Sequence, residues 1–429
     1  MDVPLLFDWL WRRDASMVES MQLETSQPVV VAKEPAGRPD STGRLISLDV
    51  LRGTVMLLML NEATHLHQVS ESFPHSWFWS VIGFNTEHVT WQGCSLHDLI
   101  QPAFSFLVGA ALPFSIAARK MKGQSFGKMI GHTVWRAFLL IALGIFLRSQ
   151  WSNRTYFTFE DTLTQIGLGY VFLFLLGFTR VRTQVIVFLL ILICFWAAFV
   201  MYPAPGPNFD YARVGVPQNW EYNYTGFLSH FNKNSNLSWA FDVWFLNLFP
   251  RKQPFVFNEG GWSTLSFIPT LATMILGLLA GEWLKGDRSK EQKLGGLVIA
   301  GAGLVLLGLV CQWVGICPIV KRVWTSAYTL YSGGLVILIL SGFYGLIEWK
   351  GWRAWAFPLV VVGMNSIAIY VMSWTMEPFF LRSLQIHLGW LLNRLAGPTF
   401  QPVVYGFGVM LSFWLILFWM YRRKLFLRI

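Results

Sequence analysis

Residues 44–67 read RLISLDVLRGTVMLLMLNEATHLH, an apolar run interrupted near its start by Asp49 and Arg52 and near its end by Asn61 and Glu62. About 20 mostly apolar residues are what a helix needs to cross a hydrocarbon core, where only helices and closed barrels satisfy their own backbone groups. Comparable runs follow at 97–118, 130–148, 163–179, 184–202, 264–284, 294–315, 325–347, 358–380 and 402–421. With 46–67 they predict an all-α, polytopic membrane protein of about ten transmembrane helices around a central cavity. Composition agrees: 54% of residues are hydrophobic and 13% charged, against about 25% charged in a soluble chain. Mean hydropathy is +0.47.

The net charge of +10 does not point to nucleic acid, because the basic residues are dispersed in short clusters between apolar runs. RKMKGQSFGK (119–128), RVR (180–182), KGDRSKEQK (285–293), EWKGWR (348–353) and the tail YRRKLFLRI (421–429) all fall on one side of a ten-span chain. The other side receives 68–96, with no Lys or Arg, and 203–262, with four. The positive-inside rule then makes both termini cytoplasmic and these two stretches extracytoplasmic. The start MDVPLLFDWLWRRDASM lacks the pattern of a signal peptide and reads as a short interfacial helix, followed by a polar cytoplasmic linker to residue 44. The expected domains are thus 1–44 and a membrane domain over 45–429. The aromatic-rich loop 203–262 reads as ordered, its rings suited to sugar stacking or to an interfacial belt. Sequons start at Asn153, Asn223 and Asn236. Cys94, Cys194, Cys311 and Cys317 show no metal-ligand spacing, and no disulfide framework is expected; Cys94, close to His88, reads as a packed thiol.

Polar side chains are costly in hydrocarbon, so each needs a partner, a water-filled cavity or a function. Asp49 and Arg52, three apart, share a helix face, either as a structural pair or as a grip on an anion. Asn61 lies about 13–14 Å beyond Arg52 along a helix, in the outer half of the membrane. His97 and Asp98 open the second span, ten residues after His88, and a histidine with a nearby carboxylate is an arrangement for general-base work. Arg136, Gln165, Glu259, Asn365 and Glu377 sit near helix ends or faces that can converge on one cavity. An enzyme acting across the membrane and a secondary transporter both fit that pattern.

The order RLISLDVLRG, Asn61, HVTWQG (88–93), LHDLIQPAFSFLVG (96–109), TQIGLGY (164–170), NEGGWSTL (258–265), VWTSAY (323–328) and GMNSIAIYV (363–371) resembles the transmembrane acyltransferases related to heparan-α-glucosaminide N-acetyltransferase, in their compact bacterial form. The resemblance runs from about residue 44 to the C-terminus. Gln92, Ile166 and the proline-free Asn258-Glu259-Gly260 depart from the family pattern and leave the acceptor open. What the resemblance implies is transfer of an acetyl group from cytosolic acetyl-CoA to an extracytoplasmic aminosugar, in a bacterial inner membrane. It makes His88 the general base or acetyl carrier, with Asn61 stabilising the oxyanion and Asp98 orienting His88. Arg52, Asp49, Arg136 and Gln165 fall to the acetyl-CoA side, and Trp91, Glu259, Asn258 and Asn365 to the sugar acceptor; no metal is implied. The alternatives are an envelope glycan O-acyltransferase and a transporter using the same cavity. The tryptophan-rich spans suit either a homodimer seam or lipid anchoring.

Overall fold

The computed structural model of the chain describes residues 45–427; the expected interfacial helix and linker, within 1–44, lie outside them. The described residues hold no strand, only an isolated bridge between Gln92 and Val320. The helices are α1 (Ile46–Leu60), α2 (Leu66–Glu71), α3 (Trp77–Thr86), α4 (Ile100–Met121), α5 (Phe126–Ser149), α6 (Thr162–Leu176), α7 (Val181–Met201), α8 (Leu237–Phe245), α9 (Phe267–Lys285), α10 (Lys290–Trp313), α11 (Ser326–Tyr344), α12 (Phe357–Met364), α13 (Ser366–Thr375) and α14 (Glu377–Arg422).

Seven helical segments among the described residues are long and apolar enough to cross a membrane: His97–Met121, Phe126–Ser149, Val181–Met201, Thr264–Lys285, Lys290–Trp313, Ser326–Trp349 and Ala396–Arg422. Each of the ten expected runs carries helix; the three not among these seven hold shorter or broken helices. The run at 358–380 is a broken pair, α12 and α13, bent by 66° at Asn365, whose backbone leaves the helical range. The runs at 46–67 and 163–179 hold helices of 15 residues each, about 22 Å long. α1 stops where Asn61 enters a tight 3-10 turn and His65 takes a left-handed φ of 49°. α6 begins where Asp161 caps it, its side chain accepting from Leu163 N at 2.8 Å, and ends at Leu176, short of the expected run. A break at Gly397 (φ 64°) divides α14.

The centre of the fold is α9 against α4. Of the window chosen in Thr264–Lys285, 78% is buried, against 17% in Lys290–Trp313, so α9 is a core helix and α10 a peripheral one. Small residues permit the closeness, as membrane helices require when no water drives their association. A Cβ on Gly109 would lie 1.8 Å from Met274 O, and one on Gly277 would lie 1.9 Å from Phe106 O. The same device joins α1 to α12, where a Cβ on Gly53 would meet Leu359 O at 1.9 Å.

Outside the helical core, the loop after α7 is built rather than loose. Tyr211, Val214 and Val216 form a small apolar cluster with Trp220, Trp239 and Phe257 packed on it. Asn232 and Asn234 tie its strands of coil together through backbone carbonyls. Its last aromatic, Trp262, is carried towards the membrane domain and reaches the site described next.

Candidate active site

Two cavities lie on either side of a narrow wall. One, of about 680 Å³, is lined by Arg52, Arg119, Lys122, His132 and Arg136 and by apolar residues of α4, α5 and α6. Among the described residues it has no carboxylate in its lining. The other, of about 580 Å³, is lined by His65, His88, His97, Arg148, Lys321 and Arg322 together with Glu62, Glu160, Asp161 and Glu377. Phe104, Thr162 and Tyr370 line both. The short helices α1 and α6 and the broken pair α12–α13 contribute to both linings, so the spans that fall short of a regular apolar helix are those that open onto the cavities.

In the second cavity, His88 Nδ1 lies 2.8 Å from Asp98 Oδ1. Asp98 stands at the entry to α4 and is fixed there from several directions. Its Oδ2 accepts from Val89 N at 3.2 Å, Ser95 N at 3.0 Å and Ser95 Oγ at 3.1 Å. Tyr328 donates to its backbone carbonyl at 2.8 Å. Lys321 Nζ donates to Asp98 Oδ1 at 3.1 Å and lies 3.2 Å from His88 Nδ1. The side chains of Asp98 and Lys321 are 1% and 3% exposed, whereas that of His88 is 36% exposed. His88 is thus the member of the cluster presented to the cavity. Its ring meets His97 at 4.5 Å and the edge of Trp262 at 5.7 Å. Burial, with the Lys321 ammonium adding to it, holds the His88 imidazole below its ordinary pKa of 6.5, so His88 is neutral at neutral pH. With Nδ1 engaged, Nε2 is the nitrogen left to accept a proton.

The neighbouring cations are tied down. Arg322 donates to Gly260 O at 3.2 Å and Val89 O at 3.3 Å, and stacks over Trp262 at 4.5 Å. Arg148 lies 3.7 Å from Asp161 Oδ2, which also accepts from Tyr370 at 2.9 Å. Burial pushes the carboxyl of Glu160 up from its ordinary range. Burial also pushes the Cys94 thiol well above its ordinary range, so Cys94 stays protonated and packed.

In the first cavity, Arg52 pairs with Asp49 at 3.1 Å and reaches Gly363 O at 3.5 Å. Arg136 donates to Tyr170 OH at 2.9 Å and lies over that ring at 4.9 Å. Its buried Nε has no hydrogen-bond partner among the described residues.

Other sequence-selected residues sit elsewhere. Asn61 lines neither cavity; its Oδ1 takes the Thr64 hydroxyl at 3.1 Å, as part of the turn ending α1. Gln165 is buried and spent on backbone, donating to Phe159 O at 2.9 Å and Ser263 O at 3.2 Å. Trp91 is fully buried under Gly261 and against Trp220 at 5.8 Å, and lines neither cavity. Asn365 is on the first cavity's side, not beside His88; it donates to Leu425 O and accepts from Leu427 N, each at 3.1 Å. Glu259 is exposed and off both linings. Its neighbour Asn258 donates to Glu160 Oε2 at 3.0 Å, so the carboxyl that reaches the second cavity here is Glu160. Lys321, Arg322 and Trp262 were not singled out from sequence. A signal existed for the first two: a Lys-Arg pair between runs 294–315 and 325–347, on the side otherwise poor in basic residues.

These features define a polytopic membrane protein with a histidine–aspartate site at one of two back-to-back cavities. No protein-family profile matches the chain. It is 23% identical to heparan-alpha-glucosaminide N-acetyltransferase of Mus musculus, over 94% of this chain and 63% of that protein. With the Homo sapiens protein of the same name the identity is 23%, over 90% of this chain and 60% of that protein. The chain is a distant relative of these acetyltransferases and spans about 60% of their length.

Proposed function

We propose that this chain is a membrane-embedded acetyltransferase that takes an acetyl group from acetyl-CoA in the basic cavity and passes it to an aminosugar in the cavity of His88. The observation that carries the reading is His88, buttressed by Asp98 and exposed to a cavity that shares lining residues with a cation-lined neighbour. The distant relationship to N-acetyltransferases supports the reaction class.

The division of labour follows from charge. Phosphates of a nucleotide thioester need Arg and Lys donors, and Arg52, Arg119, Lys122 and Arg136 supply them. Arg119, Lys122 and Gln124 of the loop 119–128 and Leu427 near the C-terminus line that cavity, which fits a cytoplasmic opening and a cytoplasmic C-terminus in a bacterial inner membrane. A pantetheine arm is long and uncharged, so the apolar wall at Phe104 is no electrostatic barrier to it.

At the other end the acceptor's nitrogen attacks the thioester carbonyl while His88 Nε2 takes the proton from that nitrogen. A C–N bond forms, the C–S bond breaks, and the thiolate leaves with the proton that His88 held. Asp98 fixes the tautomer throughout. Asn61 has no place in this scheme; the oxyanion forms in a cavity whose cations are Arg148, Lys321 and Arg322. Trp262 is the aromatic that touches His88 and is offered to the acceptor, and Glu160 is one of the cavity's carboxyls.

The test is acetyl transfer from labelled acetyl-CoA to glucosamine by the purified protein in detergent, beside His88→Ala. Transfer lost in the variant with CoA binding retained is the expected result. Equal transfer by both would remove His88 from the chemistry, and a protein that does not bind acetyl-CoA would refute the reading.

A further inference from the structure

His88 and Asp98 make a familiar pair, but a third group intrudes on it. An aspartate beside a histidine ordinarily stabilises the imidazolium, raising its proton affinity. Here Asp98 Oδ1 receives both His88 Nδ1, at 2.8 Å, and Lys321 Nζ, at 3.1 Å, while Oδ2 is occupied by three further donors. A carboxylate offers about four lone-pair sites, so Asp98 has no spare acceptor for a more acidic neighbour. Lys321 Nζ also stands 3.2 Å from Nδ1 itself.

The position of Lys321 is enforced. Gly93 N donates to Ile319 O at 2.9 Å, and Gln92 bridges Val320, which clamps this loop to the one that carries His88. Thr325 Oγ1 accepts from Val320 N and donates to Pro318 O, and Trp324 N closes a turn onto Lys321 O at 2.8 Å. Trp324 holds a left-handed φ of 51° to do so, a conformation that a bulky residue adopts only when its surroundings over-determine it. Burying a lysine is costly unless it is paired, and the partner this one takes is the same carboxylate oxygen that holds His88.

We propose that Lys321 is a positioning residue that, by sharing Asp98 Oδ1 and facing Nδ1, keeps the His88 imidazole uncharged and its Nε2 ready to accept a proton. The proposal deepens the acetyltransferase reading and rests on it for its kinetic consequence only. The same ammonium makes the imidazolium short-lived once formed, so the proton passes on to the departing thiolate. The charged and titratable groups facing His88 are Asp98 and His97 at the entry to α4, and Lys321 and Arg322 from the loop before α11; Trp262 closes the remaining side. Arg322 acts in the same direction as Lys321, and Asp98 opposes both.

The experiment is an NMR titration of the full chain in detergent with 13C-labelled histidine, the His88 signal being the one lost in His88→Gln. In wild type the midpoint is expected below 6.5, because burial and Lys321 both disfavour the imidazolium. In Lys321→Met it rises by about one unit or more, a tenfold or greater gain in proton affinity; in Lys321→Arg it stays near wild type. If Lys321→Met does not fold, the comparison is made between Asp98→Asn and Asp98→Asn/Lys321→Met, where the midpoint again rises. Where transfer is measurable, the acid limb of kcat/KM moves up with the midpoint and raised pH restores the variant, a rescue that a merely structural lysine would not show. An unmoved midpoint overturns the proposal even if the enzyme transfers acetyl groups. A moved midpoint in a protein that transfers none upholds it while refuting the acetyltransferase reading.

Discussion

The two cavities differ in how they treat charge, and the difference assigns them different work. The larger collects Arg52, Arg119, Lys122, His132 and Arg136 with no carboxylate in its lining among the described residues, and leaves Arg136 Nε without a partner. Such a surface favours an anion, although Arg52 is already paired with Asp49 from outside the lining. The smaller brings opposite charges together: His88 and Lys321 with Asp98, and Arg148 with Asp161, while Glu160 takes the Asn258 amide. A site whose polar groups are already oriented loses little on reaching a transition state. On the proposed reading, one cavity serves affinity and the other chemistry. Phe104, Thr162 and Tyr370 form the boundary between them.

That contrast can be broken by substitution. Asp98→Asn should have the largest effect. It leaves Lys321 buried opposite an amide and frees the His88 tautomer, and kcat should fall by about 10²-fold or more, with the binding of CoA measured by calorimetry unchanged. If kcat survives, the paired cavity is not where the reaction occurs. Arg119→Ala and Arg136→Ala should do the reverse, each weakening acetyl-CoA by about tenfold, or about 1.4 kcal/mol, while kcat at saturating donor holds. A fall in kcat with constant affinity would show that the two roles are not divided.

The pH profile sharpens the same contrast. His88 is held below 6.5 by burial and by Lys321, so it is a competent base above its midpoint and is lost to protonation as pH falls through it. The kcat/KM of the wild type should be level from about pH 7 upward and decline only below 6.5, whereas donor binding should not follow that midpoint. The smallest effect is expected at the boundary. Tyr370→Phe removes one hydrogen bond to Asp161, worth about 0.5–1.5 kcal/mol, and should change kcat by no more than about tenfold without shifting the pH midpoint.

Much of this was legible in the sequence, and the limits have physical causes. Long apolar runs announce membrane helices because the backbone has no other solution in lipid. His88 and Asp98 were readable together because ten residues and a helix entry separate them. Spans interrupted by function are harder to read: α1 is cut short at Asn61, and α12–α13 is broken at Asn365, inside runs whose hydropathy continues past the break. Polar residues in such runs look alike in sequence whether they meet a ligand or a carbonyl. Asn365 bonds backbone groups through both side-chain atoms, Gln165 donates to backbone carbonyls and accepts from Thr270, and Trp91 is fully buried off both cavities. Lys321 could not be paired with His88 from spacing, since 233 positions separate them; only its place in a loop expected on the side poor in basic residues marked it.

The central claim is that donor and acceptor meet from opposite sides. It is tested most directly in sealed proteoliposomes of uniform protein orientation, with glucosamine trapped inside and labelled acetyl-CoA supplied outside, where the basic cavity opens. The account predicts acetylated sugar inside the vesicles, no label transfer when donor and acceptor are both confined to the outside, and neither in His88→Ala. Equal acetylation with both substrates on the outside would contradict it.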